Sequence, residues 1–314
     1  MKKQYFVVLK RYAIVGVLLV LIALFAILND RFLTSNNLLN IARQVAMLGI
    51  SSVGMACVIL TTGIDLSVGS MMGISNIIAA LLMAELGMPI LPAICITLFV
   101  SALIGFISGI LVAYVKVPAL ITTLGMMTIL RGLAFILCNG LPVWGLPEGY
   151  KIIGQGYVGR IPIPVIIMAV IFIVGWVFLN RTKTGRYIYG LGGNREAVRL
   201  SGVHTARIEV LVFTICAFLS GVAGIIMLSR INAGRPGLGT GYELDVITAV
   251  VLGGVSIMGG RGSIFGVFIG VLIIGVLSNG LILIDVSEFY QQIVKGVVLL
   301  VAVIFDTMAK RNKT

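Results

Sequence analysis

Blocks of apolar residues, separated by short clusters of Gly, Pro, Asn and charged residues, repeat along the whole chain. An α-helix needs about 17–25 mostly apolar residues to cross the hydrocarbon of a bilayer. That length predicts about ten spans, near 12–28, 39–60, 66–86, 91–114, 119–137, 163–179, 208–228, 244–258, 264–283 and 289–305. The eighth is short. The first follows MKK, but Asn29, Asp30, Arg31 and Phe32 come after it without a small-residue cleavage site. It is therefore expected to stay as a span and not to act as a signal peptide.

Composition agrees with this pattern. Hydrophobic residues make up 59% and charged residues 11%, and the mean hydropathy is +1.15, more than a soluble core requires. The chain reads as an all-α polytopic membrane protein. No polar stretch is long enough to build a soluble core, so residues 1–314 are expected to form one transmembrane domain.

Charge sets the expected orientation. With the N-terminus inside, an even number of spans gathers Lys2, Lys3, Lys10, Arg11, Lys116, Arg181, Lys183, Arg186, Arg195, Arg199, Arg207, Arg261, Lys310, Arg311 and Lys313 on the cytoplasmic side. The opposite side holds only Arg31, Lys151, Arg160, Arg235 and Arg230. Both termini are then cytoplasmic. The same asymmetry accounts for the formal charge of +12 without nucleic acid, since no separate basic domain or aromatic ladder is present.

Catalytic chemistry finds little support. Cys57, Cys95, Cys138 and Cys216 fall in or beside apolar runs, where a free Cys packs as a small hydrophobe. The single His204 sits in a polar segment and cannot make a metal site alone. The sequence has no GxxxxGK[ST], HExxH or GxSxG motif, and GVSIMGG at 254–260 is followed by Arg261 with no nucleotide-binding strand before it. No catalytic residue, metal ligand or cofactor is expected, which leaves transport or binding.

The main polar interruption is RTKTGRYIYGLGGNREAVRLSGVHTAR, residues 181–207. Asn194 suits an N-cap, Glu196 the first turn of a helix, Arg199 a position near its end and Gly202 the residue beyond it. Gly193 precedes and Ser201 follows this short helix. Ala197, Leu200 and Val203 recur every three residues and mark an apolar side, with Arg195 and Arg199 on another. Such a helix could dock in a groove on a cytoplasmic partner or rest on anionic lipid, and the residues alone support both.

Five stretches in order resemble one family. GRYIYGLGGNREAVRLSGV, TTGIDLSVGS at 61–70, ITTLGMMTILRG at 121–132, GYELDVITAVVLGGVSIMGGRGS at 241–263 and YQQIVKGVVLLVAVIFD at 290–306 are similar to permease subunits of bacterial ATP-binding-cassette importers for monosaccharides, the ribose branch in particular. The resemblance implies a type II importer permease in the inner membrane. Two permease copies would form the path, an extracytoplasmic sugar-binding protein would deliver substrate, and a separate ATPase subunit would supply energy. It also implies that residues 193–202 are the helix that couples to the ATPase.

Polar residues within or near the spans are the pathway and gate candidates. Asp65, in GIDLSVGS, can cap the third span or face the path, with Ser67 and Asn76 beside it. Glu243 and Asp245 are expected to open the eighth span on the outer side, where carboxylates suit a helix N-terminus. Arg131 is costly in hydrocarbon and must face protein or water. Gln291 and Lys295 pose the same choice in the last span. The glycines at 253–262 are expected to serve close packing and a turn. A faint likeness between 48–70 and 218–245, five spans apart, is consistent with inverted repeats. An ion-coupled secondary transporter using Asp65, Glu85 or Asp306 is the main rival, and a non-transporting scaffold or receptor subunit is another.

Overall fold

The computed structural model describes residues 2–311, with side chains from residue 14 to 308 apart from 305. The side chains of Lys2, Lys3, Lys10, Arg11, Lys310, Arg311 and Lys313, used above for orientation, lie outside the described residues. The helices are α1 (Lys2–Leu28), α2 (Ser35–Leu60), α3 (Val68–Ala84), α4 (Ile90–Ala113), α5 (Ala119–Leu137), α6 (Lys151–Gln155), α7 (Ile163–Arg181), α8 (Lys183–Gly193), α9 (Arg195–Leu200), α10 (Thr205–Ile231), α11 (Tyr242–Leu252), α12 (Ile264–Leu283) and α13 (Glu288–Arg311). A small antiparallel hairpin, β1 (Tyr157–Val158) with β2 (Ile161–Pro162), precedes α7.

Seven of these helices, α2, α4, α5, α7, α10, α12 and α13, are long and apolar enough to cross a membrane. The apolar part of α1, Ile14–Leu28, and α3 are shorter. The eighth predicted span is corrected by the structure. α11 has 11 residues, about 17 Å of helix against about 30 Å of hydrocarbon. Gly253 ends it, and Gly254, Gly259 and Gly260 turn through φ of +84°, +76° and +69°. The run VLGGVSIMGG is apolar in composition, but its backbone is a turn.

α2 and α10 form the centre. The most apolar window of α2 is 89% buried, whereas that of α13 is 6% buried. Lipid tails are as apolar as leucine, so helices in a bilayer associate through close packing and hydrogen bonds more than through hydrophobic burial. Small residues provide that closeness. A Cβ at Gly54 of α2 would sit 2.7 Å from the Cys216 Cα of α10. Along the other face of α10, one at Gly109 of α4 would sit 2.7 Å from the Val210 Cα.

Buried polar pairs add direction. Asn37 of α2 and Asn279 of α12 exchange two amide hydrogen bonds, each 2.9 Å. The hydroxyls of Ser75 in α3 and Ser101 in α4 lie 2.8 Å apart.

α2 and α10 run in opposite directions through this crossing, and each is followed by a break and then a shorter helix, α3 or α11. Leu60, at the end of α2, accepts the Gly260 amide at 3.0 Å, on the side that carries α8 and α9. Beyond the end of α10, Gly234 exchanges two 2.8 Å backbone bonds with Val143 on the opposite side. The two helix–break–helix units are thus inverted relative to each other, the arrangement to which the faint sequence likeness pointed.

Gly54→Val should lower the thermal unfolding midpoint in detergent, at a cost of about 1–3 kcal/mol for overpacking. Gly125→Ala and Gly132→Ala, where an added Cβ meets nothing within 4 Å, should leave the midpoint unchanged or raise it. Equal effects at all three positions would contradict the packing described.

Candidate functional site

The break after α10, residues 232–241, folds back into the protein. Its backbone groups find partners there. Arg131 Nη1 of α5 donates to the Leu238 carbonyl at 2.6 Å and to that of Pro236 at 3.2 Å. Asn76 Oδ1 of α3 accepts the Arg235 amide at 2.7 Å. Gly239 and Gly241 both take φ of +76°, a region L side chains rarely occupy. The backbones of Gly69 and Gly239 touch, so the N-terminal ends of α3 and α11 meet with no room for a Cβ on either glycine.

This meeting point lies below the ends of the neighbouring long helices. Arg131 is six residues from the end of α5, and Lys295 is seven from the start of α13, depths of about 9–10 Å. Lys295 Nζ donates to Asp245 Oδ2 at 2.7 Å, and Glu243 presses on the Gly69 turn of α3. Glu243 and Asp245 stand in the first turn of α11, as expected, and that turn begins below the ends of the neighbouring helices. The chain re-enters before α11 begins, because the glycine-rich RPGLGTGY can follow a compact path that helical residues could not.

The predicted site residues separate into groups. Arg131, Asn76 and Glu243 surround the re-entrant segment, and Asp245 pairs with Lys295. Asp65 and Ser67 belong to the other break. Asp65 Oδ1 accepts from Ser67 N at 2.9 Å and Ser67 Oγ at 2.6 Å, closing a turn ahead of α3 without capping its amides. Thr123 of α5 holds this break through the Ile64 carbonyl at 3.0 Å. Asp65, Ser67 and Asn76 are buried and take part in these contacts, which support the two breaks. Gln291 stands apart, its amide donating to the Val286 carbonyl at 2.8 Å.

The polar segment 181–207 forms two helices where one was expected. Thr182 caps α8, its side chain accepting the Gly185 amide at 3.0 Å. Gly192 of α8 lies against the Leu60 carbonyl and the Gly260 amide, and Tyr189 donates to the Gly262 carbonyl at 3.1 Å. α8 therefore rests on the end of α2 and on the turn that follows α11.

α9 projects from this base. Asn194 caps it, accepting the Ala197 amide at 3.0 Å, and Gly202 follows at φ +81°. No residue of α9 is buried, and Leu200 is 77% exposed. Arg199 bonds Glu196 and holds its carboxyl below the usual range. Arg195 reaches Glu209 at the start of α10, with an N to O distance of 2.5 Å. Glu209 escaped the sequence reading because an acidic residue in the first turns of a helix has an ordinary explanation. Its partner, fourteen residues earlier, becomes visible only when α9 folds back.

Helices broken within the membrane layer, beside an exposed capped helix at one end, define a polytopic membrane permease. The family described as branched-chain amino acid transport system / permease component matches residues 37–303, and the chain belongs to it. The ribose import permease protein RbsC of Escherichia coli strain K12 is 47% identical over 293 residues, which cover 92% of this chain and 91% of that protein. RbsC of Haemophilus influenzae is 46% identical over 300 residues, 94% and 93% of the two chains. The xylose transport system permease protein XylH of Escherichia coli strain K12 is 36% identical, covering 90% and 87%. No solved structure matches.

Asn194→Ala should destabilise α9 locally by about 0.5–2 kcal/mol. Amide exchange at Ala197 should then accelerate while the core of α10 remains slow. Unchanged exchange at Ala197 would show that the cap does not hold the helix.

Proposed function

We propose that this chain is the membrane-spanning permease subunit of an ATP-driven importer for ribose or a closely related monosaccharide. The observation that carries this reading is 47% identity to a ribose import permease over more than nine-tenths of both chains. Identity falls to 36% with a xylose permease, which favours ribose.

The subunit performs no chemistry. ATP is hydrolysed by a separate cytoplasmic subunit, and an extracytoplasmic binding protein delivers the sugar. Two permease copies enclose the path in the inner membrane, with both termini and the α8 and α9 face on the cytoplasmic side. In this orientation α9 offers the ATPase an exposed apolar tip, Leu200, on a helix secured by its cap and by Arg195 with Glu209. α8 passes movement to the ends of α2 and of the turn after α11. The ion-coupled alternative is not favoured, since Asp65 closes a turn, Asp306 binds another turn through Ser256 at 3.0 Å, and Glu85 is exposed at the end of α3.

Vesicles containing this permease with its ATPase and binding protein should take up labelled ribose only when ATP is supplied. Substitutions at Glu196, Ala197 or Gly202 should abolish coupling to ATP while leaving the binding protein's affinity for sugar unchanged. Uptake without the ATPase, or driven by an ion gradient, would refute the proposal.

A further inference from the structure

Within this chain and among the described residues, α13 has few buried contacts. Its most apolar window is 6% buried, it packs chiefly on α11, and apolar contacts between helices in lipid are not sustained by a hydrophobic driving force. Polar contacts fix it at two levels. Lys295 donates to Asp245 at 2.7 Å. Lower down, Asp306 Oδ2 accepts from Ser256 Oγ at 3.0 Å and from the Ile257 amide at 3.3 Å, in the turn that follows α11.

The pairs 245 with 295 and 256 with 306 have the same separation in sequence, 50 residues. The two segments therefore run in the same direction and in register. The upper pair is largely shielded, with side-chain exposures of 23% and 18%, and opposite charges attract more strongly there than in water.

The other side of α11 is joined to α12. Gly270 of α12 lies against the Ala249 carbonyl, and Gly253 lies against the backbone of Gly266 and Val267. At the lower end, Gly259 and Gly260 contact Gly192 and Gly193 of α8 through backbone atoms. A continuous series of contacts thus leads from α8, through the turn 253–263, into α11 and across the two polar contacts to α13.

We propose that α11, α12 and α13 move as one rigid arm during import, with Asp245–Lys295 and Ser256–Asp306 as the two pins that make α13 part of it. These four are positioning residues. They hold a helix that would otherwise slide in lipid, so a displacement of α8 reaches both levels of α13 together. The inference rests on the import reading, which is checked separately: a parent importer without ATP-driven uptake would overturn that reading before any pin is altered.

The test uses the reconstituted importer with Cys57, Cys95, Cys138 and Cys216 replaced by Ala, and Asp245→Cys combined with Lys295→Cys. Losing the upper pin should reduce ribose moved per ATP hydrolysed by about tenfold. Joining the two thiols with a short bifunctional reagent should restore at least about half of the parent ratio, whereas a monofunctional reagent should not. An unchanged ratio without the pin, or a bridge that gives no recovery, would overturn the proposal. A second measurement leaves the pins intact. Spin labels at the exposed positions Leu244 and Leu300 should keep the same separation in the nucleotide-free and ATP-bound importer. A separation that changes with nucleotide would overturn the rigid arm.

Discussion

A peptide group without a hydrogen-bond partner is costly in hydrocarbon, and this chain twice follows a long helix with a stretch of irregular backbone and a shorter helix. The arrangement of the remaining helices follows from meeting that cost. The break at 61–67 is closed by the Asp65 carboxylate and by Thr123. The break at 232–241 is closed by Arg131, Asn76 and the backbone of Val143. Each break is covered by α3 and α5, with the densely packed α2 and α10 behind them. Irregular backbone at membrane depth survives only when it is enclosed by protein or lines a cavity; residues 61–67 are mostly enclosed, whereas Arg235, Gly237, Thr240 and Gly241 keep an exposed side in this chain.

That requirement explains where the expensive residues sit. An arginine within a span is costly when isolated, but Arg131 supplies donors to two carbonyls that have no helical partner, so two unfavourable groups satisfy each other. The carboxylates of α11 behave similarly. They sit in its first turn, where the helix dipole favours them, and Asp245 also has a cation from α13. Glycine at 69 and 239 makes the meeting of α3 with α11 possible, and glycine at 192 and 260 does the same between α8 and the turn after α11. Backbone contact at both ends of α11 makes it a short rod between the re-entrant segment and the α8 base.

Much of this was legible in the sequence, and the gaps have physical causes. Seven of the spans follow from apolar length alone, and apolar runs also mark α1 and α3, whose apolar parts are shorter. α9 could be read from Asn194, Glu196 and Gly202, because caps are local. α8 could not, since Gly190, Gly192 and Gly193 argue against a helix and the reason for Gly192 is a contact with Leu60, far away in the chain. The length of α11 is not legible, because hydropathy does not distinguish a glycine-rich turn from the end of a span. Arg131 within a span calls for a partner, but backbone carbonyls carry no residue-specific mark in a sequence. Lys295 and Asp245 each stand out in the sequence as charges near spans, and only the fold pairs them.

Residues 232–241 fold back between the helices, and α11 starts below the ends of its long neighbours. Amide hydrogen exchange of the permease in lipid nanodiscs measures this directly. Gly234, Arg235 and Leu238, whose amides bond to Val143, Asn76 and Arg235, should exchange nearly as slowly as the adjoining part of α10. Exchange as fast as in the exposed loop at 139–142 would place the segment at the surface and contradict it.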